Sequence, residues 1–377
     1  MFVSTDLPFN SAVWLNQSAT IELRSAPYTR PSKNEIVIKN GAIAINPADW
    51  IKQDMGSLMF SWVRYPCILG HDVSGEVVEV GDEVTRFKVG DRVVGLAIGL
   101  TESSNTSTKS AFQCYTVLLD YMASHIPNTL SYEQASVIPL AFSTAAVGLF
   151  QKDQLALQLP SVSPKSTGET ILIWGGSTSV GVNAIQLAVA AGYEVFTTSS
   201  PKNFDLCKKL GASQVFDYSS RTSIPDLINA FKGKTTAGAL SIGKGAADAC
   251  MDVLGKCKGK RFISMVTYPV PLPPPKRFIL PKLLSTFVPW IISNQCKKIT
   301  KGVNNKFVDG SNVINNGVGE AVYVNFLAEA LEKGTFVAAP EAMVIGKGLG
   351  CHLPITYDGY LARVNVSPIT SQAFLRH

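Results

Sequence analysis

At 377 residues the chain exceeds a single domain of about 100–200 residues, so two domains are expected. Apolar residues make up 46% and charged residues 16%, which excludes a disordered chain. The net charge of +6 comes from 34 basic residues scattered along the sequence, which argues against a nucleic-acid partner and leaves a modest bias toward anionic ligands.

Residues 1–135 read as β-rich. Glu35–Lys39, Gly75–Gly81 and Gly90–Gly95 alternate as short strands, punctuated by Gly, Pro and Asp as in a barrel or sandwich. Residues 100–110 are small and polar and read as a surface loop. Ser131, with Glu133 and Gln134 after it, opens a helix. From Glu169 the texture changes. Thr170–Trp174 is an apolar strand, Ser179–Ala191 a helix stopped by Gly192, and Glu194–Thr198 the next strand. Asn203–Leu210 is helical, and Gln214–Asp217 and Lys260–Val266 are further strands. Strand and helix in alternation mark a parallel α/β unit. Residues 268–301 carry seven prolines and lead into an apolar stretch near 283–292. That stretch reads as a loop with a packing helix, or else as an apolar substrate wall or dimer contact.

Seven cysteines, an odd number with no C-x-x-C pair, argue against a disulfide framework and against a cysteine-rich zinc site. No basic residue precedes Arg24, and Asp6, Pro8 and Asn10 interrupt the early apolar residues, so no signal peptide is expected. No apolar run approaches the roughly 20 residues of a membrane span. A soluble cytoplasmic protein is the expectation, with the sequons at Asn16, Asn105 and Asn365 read as chance matches.

The strongest site signal is Ile171–Gly181, a strand running through a small-residue turn into a helix. Helix-start amides and the helix dipole suit a pyrophosphate there. Gly176 and Gly181 fit the outer glycines of G-x-G-x-x-G, and Thr178 replaces the middle one. The Thr178 Cβ would push the pyrophosphate outward, or its hydroxyl would donate to a phosphate oxygen. An NAD site usually ends its second strand in Asp or Glu for the ribose hydroxyls. Here Thr197–Asn203 offers no carboxylate at that strand end, while Lys202, Ser199 and Ser200 can meet a 2′-phosphate, so NADPH is favoured. Tyr218 is a candidate adenine or phosphate partner, or a packed surface tyrosine.

Asn46-Pro-Ala-Asp-Trp50, Cys67–Asp72, Gly75–Gly81, Phe87–Val93 and the Gly175–Gly181 turn together resemble the medium-chain dehydrogenase/reductase superfamily over nearly the whole chain. Within it the chain is similar to the zinc-independent, quinone-oxidoreductase-like branch, and to fungal trans-acting enoyl reductases of secondary metabolism. Ser200–Asp205 and Phe216–Tyr218 are similar to segments those enzymes use on the NADPH adenosine phosphate. The resemblance implies an α/β protein: a GroES-like β-rich catalytic domain over 1–140, completed by 324–377, with a Rossmann domain of doubly wound parallel sheet over 141–323. It implies NADPH as cofactor, with the nicotinamide in the cleft between the domains. The cofactor contacts expected are Asp49, Lys52, Gly176, Ser177, Thr178, Ser179, Val180, Gly181, Ser199, Ser200, Lys202, Asn203, Tyr218, Met265 and Val266.

Zinc enzymes of this superfamily use Cys, His and Cys at the catalytic metal. Asn46 stands at the first position, His71 is retained, and no cysteine lies near Leu140. One ligand cannot make a three-ligand site, so no metal is expected and His71 reads as a hydrogen-bonded residue. Cys114 stands alone where a four-cysteine lobe would be. Without a Lewis acid, reduction of an activated C=C suits the site better than alcohol oxidation.

The residues expected at the chemistry are Lys52, Asn46 and Thr144. Lys52 also reads as a solvated surface lysine, Asn46 as a turn residue before Pro47, and Thr144 as a helix cap. Tyr65 is a weaker acid candidate that reads better as packing. The expected reaction is NADPH-dependent reduction of an α,β-unsaturated carbonyl, free or carrier-bound, with a polyketide synthase as candidate partner. The alternatives are a quinone oxidoreductase and a non-catalytic NADPH-binding accessory protein. A monomer or homodimer is expected, with Phe307–Gly310 as a strand that could pair across a two-fold, and no role falls to Val364 and Asn365 in the tail.

Overall fold

The computed structural model describes residues 7–267, 279–352 and 372–375. The chain forms two compact units, one from Met1–Leu140 with Leu331–His377 and the other from Ala141–Ala330.

The first unit is built on antiparallel strands. In chain order these are β1 (Asn10–Leu15), β2 (Ile21–Ala26), β3 (Glu35–Ile45), β4 (Cys67–Ile68), β5 (Asp72–Val80), β6 (Arg92–Leu96), β7 (Tyr115–Leu119) and β8 (Ala123–His125). β1 lies between β2 and β4. The larger sheet runs from the tail strand Gln372–Leu375 through β3, β5 and β6 to β8, with β7 also on β3. Its core gathers Ile36, Ile38, Ile43, Val73, Val77, Phe112 and Trp50. β3 continues well past Lys39, where the alternation suggested an end. Gly41 looks like punctuation in the sequence, but a Cβ there would stand 2.4 Å from the Tyr132 ring, so the glycine is a close-packing requirement inside a strand.

Between β3 and β4 runs helix α1 (Pro47–Met59), which the β-rich reading of this region passed over. Its start is written locally. Asn46 is the N-cap, Pro47 opens the first turn, and the Asp49 carboxylate accepts the Asn46 backbone N–H at 2.8 Å. A short helix, α2 (Tyr132–Ala135), is capped by Ser131, as its sequence suggested, with Gln134 as the reciprocal partner.

The second unit is an α/β sandwich. After α3 (Pro139–Phe150) come β9 (Glu169–Trp174), α4 (Ser179–Ala190), β10 (Glu194–Ser199), α5 (Phe204–Lys209), β11 (Gln214–Asp217), α6 (Ser223–Ala230), β12 (Thr235–Ser241) and α7 (Ala246–Leu254). They are followed by β13 (Lys258–Gly259), β14 (Phe262–Met265), α8 (Ile279–Lys301) and β15 (Asn304–Phe307). Among the described residues all strand pairs of this unit are parallel, in the order β11-β10-β9-β12-β14-β15, with β13 on β12. Ile171, Leu172 and Ile173 are fully buried, because helices cover both faces of a parallel sheet and its central strand reads as a continuous apolar run. The order reverses between β9 and β12, and such a switch point opens a crevice at the carboxyl ends of the strands. This is the doubly wound Rossmann arrangement.

The 19-residue stretch Tyr132–Phe150 is long and apolar enough to cross a membrane, yet 78% of its apolar window is buried inside the fold. The apolar stretch near 283–292 lies inside α8, where Trp290 packs on the core while Leu284, Val288, Ile291 and Ile292 are exposed. The proline segment 268–278 and the tail positions Val364 and Asn365 lie outside the described residues. β15 ends the parallel sheet beside β14.

Candidate active site

In the first unit, α1 and the start of β5 bring five polar side chains together. Asp49 and Lys52 are three residues apart, so they share a face of α1. His71 and Asp72 arrive from the segment entering β5. His71 Nδ1 lies 3.0 Å from Asp49 Oδ1, and His71 Nε2 lies 3.2 Å from Lys52 Nζ. Asn46 Nδ2 donates to Asp72 Oδ2 at 2.8 Å, and the Leu140 backbone N–H donates to Asp72 Oδ1 at 2.6 Å. Every one of the five is buried: Asp49 and Asp72 are 0% exposed, Asn46 3%, His71 6% and Lys52 7%.

Burial at this density costs several kcal/mol per ion unless charges are paired and hydrogen-bonded. The titration of the groups follows. Burial and the nearby Lys52 hold the His71 pKa below its usual value, against the pull of Asp49. Burial pushes the Asp72 carboxyl up to about 8, although the Asn46 and Leu140 hydrogen bonds oppose it. Burial pushes the Cys67 thiol up to about 12, with Lys52 opposing. The Lys52 ammonium also lies 4.9 Å above the Phe60 ring, a cation–π contact.

These positions correct several readings of the sequence. Lys52 is not a solvated surface lysine: α1 turns it inward. Asn46 is a helix cap whose amide is engaged with Asp72, and not a loose turn residue. Asp49 has both carboxylate oxygens engaged inside the unit, on Asn46 N and on His71. Tyr65 packs against the core, as its bland reading held. The sequence offered no signal for the His71–Lys52 link or for Asp72, because both depend on pairing residues 19 and 26 positions apart.

In the second unit, the remaining expected residues except Thr144 lie at the carboxyl ends of the parallel strands. The Gly175–Thr178 turn joins β9 to α4. Gly175 N–H donates to Thr198 Oγ1 and Gly176 N–H to the Thr198 carbonyl, at 3.0 and 2.8 Å, which ties the turn to β10. Thr178 caps α4: its Oγ1 accepts from Gly181 N–H at 3.0 Å and donates to the Gly175 carbonyl at 2.8 Å. Its hydroxyl hydrogen is engaged by the turn in this structure. Removing the cap with Thr178→Val is expected to cost about 1 kcal/mol of stability, read as a lower denaturant midpoint at unchanged m-value.

Gly181 is required by packing, since a Cβ there would stand 2.2 Å from the Gly175 carbonyl oxygen. Ser177 and Val180 are half-buried beside it, and Ser179 is buried. Beyond β10, buried Ser199 donates to the Ser200 carbonyl, and Asn203 Nδ2 donates to Ser200 Oγ at 3.2 Å, while Lys202 is exposed. Tyr218 is exposed after β11, and not packed. Met265 is buried at the end of β14, with Val266 half-buried after it and bonded through its N–H to the Ser241 carbonyl. Thr144 stands apart on α3, against Gly310.

One further feature escaped the sequence reading. Gly243-Lys244-Gly245 follows β12 on the other side of the switch point, with Gly243 at φ +111° and open space where its Cβ would be. A Gly-x-Gly between an apolar strand and a helix was the available signal. The two glycine segments follow the neighbouring strands β9 and β12, and Gly243 leaves open space for close backbone approach, so the residues present fit a nicotinamide cofactor.

Comparison with known proteins agrees with this geometry. Residues 32–137 match the family described as alcohol dehydrogenase GroES-like domain, and residues 179–266 match the family described as zinc-binding dehydrogenase. The dehydrogenase pigH of Monascus ruber is 55% identical over 346 residues, covering 91% of this chain and 94% of that protein. The chain is a medium-chain dehydrogenase/reductase. As a member of that family it is an oxidoreductase with a nicotinamide-binding fold. The trans-enoyl reductase himH of Aspergillus japonicus is 38% identical over 348 residues, 90% of this chain and 91% of that protein. Among solved structures, the CurK enoyl reductase superposes with a TM-score of 0.69 at 18% identity, covering 98% of this chain and 99% of that one. The Escherichia coli quinone oxidoreductase complexed with NADPH superposes with a TM-score of 0.64 at 18% identity, covering 97% and 99%.

The zinc in one family's name does not fit this member. Asn46 presents an amide that donates to Asp72, and both His71 ring nitrogens are engaged, one of them with the Lys52 amine group. A lysine Nζ 3.2 Å from Nε2 stands where a metal bound to that nitrogen would have to sit. Among the described residues no cluster of three or more His, Cys, Asp or Glu could hold a metal ion.

Proposed function

We propose that the protein uses NADPH to reduce the C=C bond of an α,β-unsaturated carbonyl, an enone or enoyl thioester of polyketide type. The observation that carries this reading is the buried Lys52, bonded to His71, which Asp49 holds in turn, in a site without a metal ligand set. The glycine segments after β9 and β12 would hold the cofactor, whose nicotinamide would supply the hydride that the β carbon receives. This chain's part is to hold the cofactor and to protonate the resulting enolate.

The Gly175–Gly181 turn and the start of α4 direct backbone amides and a helix dipole toward the pyrophosphate. Ser200, Lys202 and Asn203 meet the 2′-phosphate, and Tyr218 lies alongside. Thr144 contacts the nicotinamide end. Lys52 Nζ donates a hydrogen bond to the carbonyl-derived oxyanion system and then a proton to the α carbon. Asn46 orients the site through Asp72 and is not the proton source. The trans-enoyl reductases among the relatives support an acyl substrate presented by a separate synthase, as opposed to a free quinone.

The test is NADPH consumption with enones, enoyl thioesters and quinones, run in deuterium oxide. The expected result is oxidation of NADPH by enoyl substrates, with deuterium from solvent at the α carbon. Turnover of quinones alone, or of nothing in the panel, would sink the reading. Lys202→Glu in the same assay is expected to raise the KM for NADPH by about tenfold, leaving NADH nearly unaffected, and the effect shrinks with added salt.

A further inference from the structure

His71 is a conspicuous residue at this site: it is almost wholly buried, bonded on both ring nitrogens, and the proton transfer just described makes no direct use of it. We propose that His71 is a positioning residue, held by Asp49 in its Nδ1–H form so that Nε2 is a fixed acceptor that orients the Lys52 amine group toward the substrate. This rests on the assignment of Lys52 as proton donor.

The clamp is rigid at each end. Asp49 cannot rotate, because Oδ2 takes the Asn46 backbone N–H at 2.8 Å while Oδ1 takes His71 Nδ1 at 3.0 Å. The carboxylate, which accepts only, fixes the hydrogen on Nδ1 and leaves the Nε2 lone pair facing Lys52. Lys52 has three donor hydrogens on a flexible stem, and a fixed acceptor at Nε2 reduces its rotational freedom. The Phe60 ring also contacts the ammonium, 4.9 Å from its centroid.

The charges around the pair agree with this arrangement. Lys52 and Asp49 face His71 from α1. Cys67 faces Lys52 from β4 and stays a thiol, since burial raises its pKa. Asp72, beside His71, also feels Asp49 and has its carboxyl raised. A protonated His71 would oppose the Lys52 ammonium at 3.2 Å, so the ring stays neutral. In the step itself one Nζ–H bond of Lys52 breaks as the α C–H bond forms from the enolate electron pair. Lys52 is left as a neutral amine, still donating to Nε2, and recovers its proton from water.

Two arms test this. The first reads the ring directly by long-range proton–nitrogen NMR on the wild-type protein, independent of turnover. The Nδ1–H tautomer is expected, persisting below pH 6.5, the ordinary midpoint of about 6.5 for histidine. An Nε2–H tautomer or an imidazolium at neutral pH would overturn the proposal.

The second arm is kinetic. His71→Phe removes the acceptor and is expected to lower kcat about tenfold or more, with the KM for NADPH within about twofold. The solvent isotope effect on kcat should rise, because proton transfer becomes slow. His71→Gln, which restores an acceptor oxygen, should recover most of the rate. Its melting temperature should also fall less on acidification than that of the wild type. The depressed folded-state pKa gives His71 a stability contribution present above about pH 6.5 and lost as pH falls. Equal loss in both variants, with an unchanged isotope effect, would mark a merely structural histidine and overturn the proposal. If the wild type reduces no enoyl substrate, the functional reading fails while the NMR arm still decides the clamp.

Discussion

Lys52→Met is expected to lower kcat by about 10²- to 10⁴-fold, the range lost when a positioned general acid is removed. The methionine keeps much of the lysine's length and volume inside a site where the native side chain is 7% exposed. Two effects on stability oppose one another. The variant takes a donor from His71 Nε2, which costs about 1–3 kcal/mol when the partner is left buried. It also removes the desolvation cost of a buried cation. The melting temperature should therefore move little while the rate collapses, and the KM for NADPH should stay near the wild-type value. Steady-state kinetics beside a thermal melt separates these quantities. A kcat within a few-fold of wild type would place the proton source elsewhere.

Gly181→Ala is expected to weaken dinucleotide binding by about 100-fold or more, the cost of misplacing a binding element by roughly 1 Å. The new Cβ would stand 2.2 Å from the Gly175 carbonyl oxygen and 2.8 Å from the Gly176 Cα. Both are backbone atoms, so no side chain can swing away. Either α4 shifts off the turn or the turn opens, and both outcomes redirect the first-turn amides away from the pyrophosphate. Binding is read by titration calorimetry with NADPH. Undiminished affinity would mean that the cofactor does not use this turn. Thr178→Val makes a useful contrast, since it removes one cap without a clash.

The local features of the chain were legible because they need only neighbours in sequence. Ile171-Leu-Ile173 reads as a central parallel strand because a strand covered on both faces must be apolar throughout. Gly192 and Gly211 mark helix ends, and Ser131 marks a helix start, through caps formed within a few residues. The α1 helix was written locally as well, in Asn46-Pro47 followed by Asp49, but the surrounding strand texture masked its N-cap signature.

The sequence by itself determined the first half of the nicotinamide-binding unit, from β9 through α4, β10 and α5 to β11, because each element there is bounded by its own local glycine or cap signal, whereas α6, β12 and α7 went unread. It left Lys52 undecided between solvent and interior, and the tertiary structure decided that it is buried. Only the packing of α1 against the entrance to β5 brings Lys52 to His71 and Asn46 to Asp72, across 19 and 26 residues of chain. The side chain of a lysine is compatible with either fate, and burial was settled by the partners waiting at the other end of that contact. Gly243–Gly245 follows the same rule: it comes to the same sheet end as the Gly175 turn only because β12 lies beside β9, a neighbour relation created when the strand order reverses.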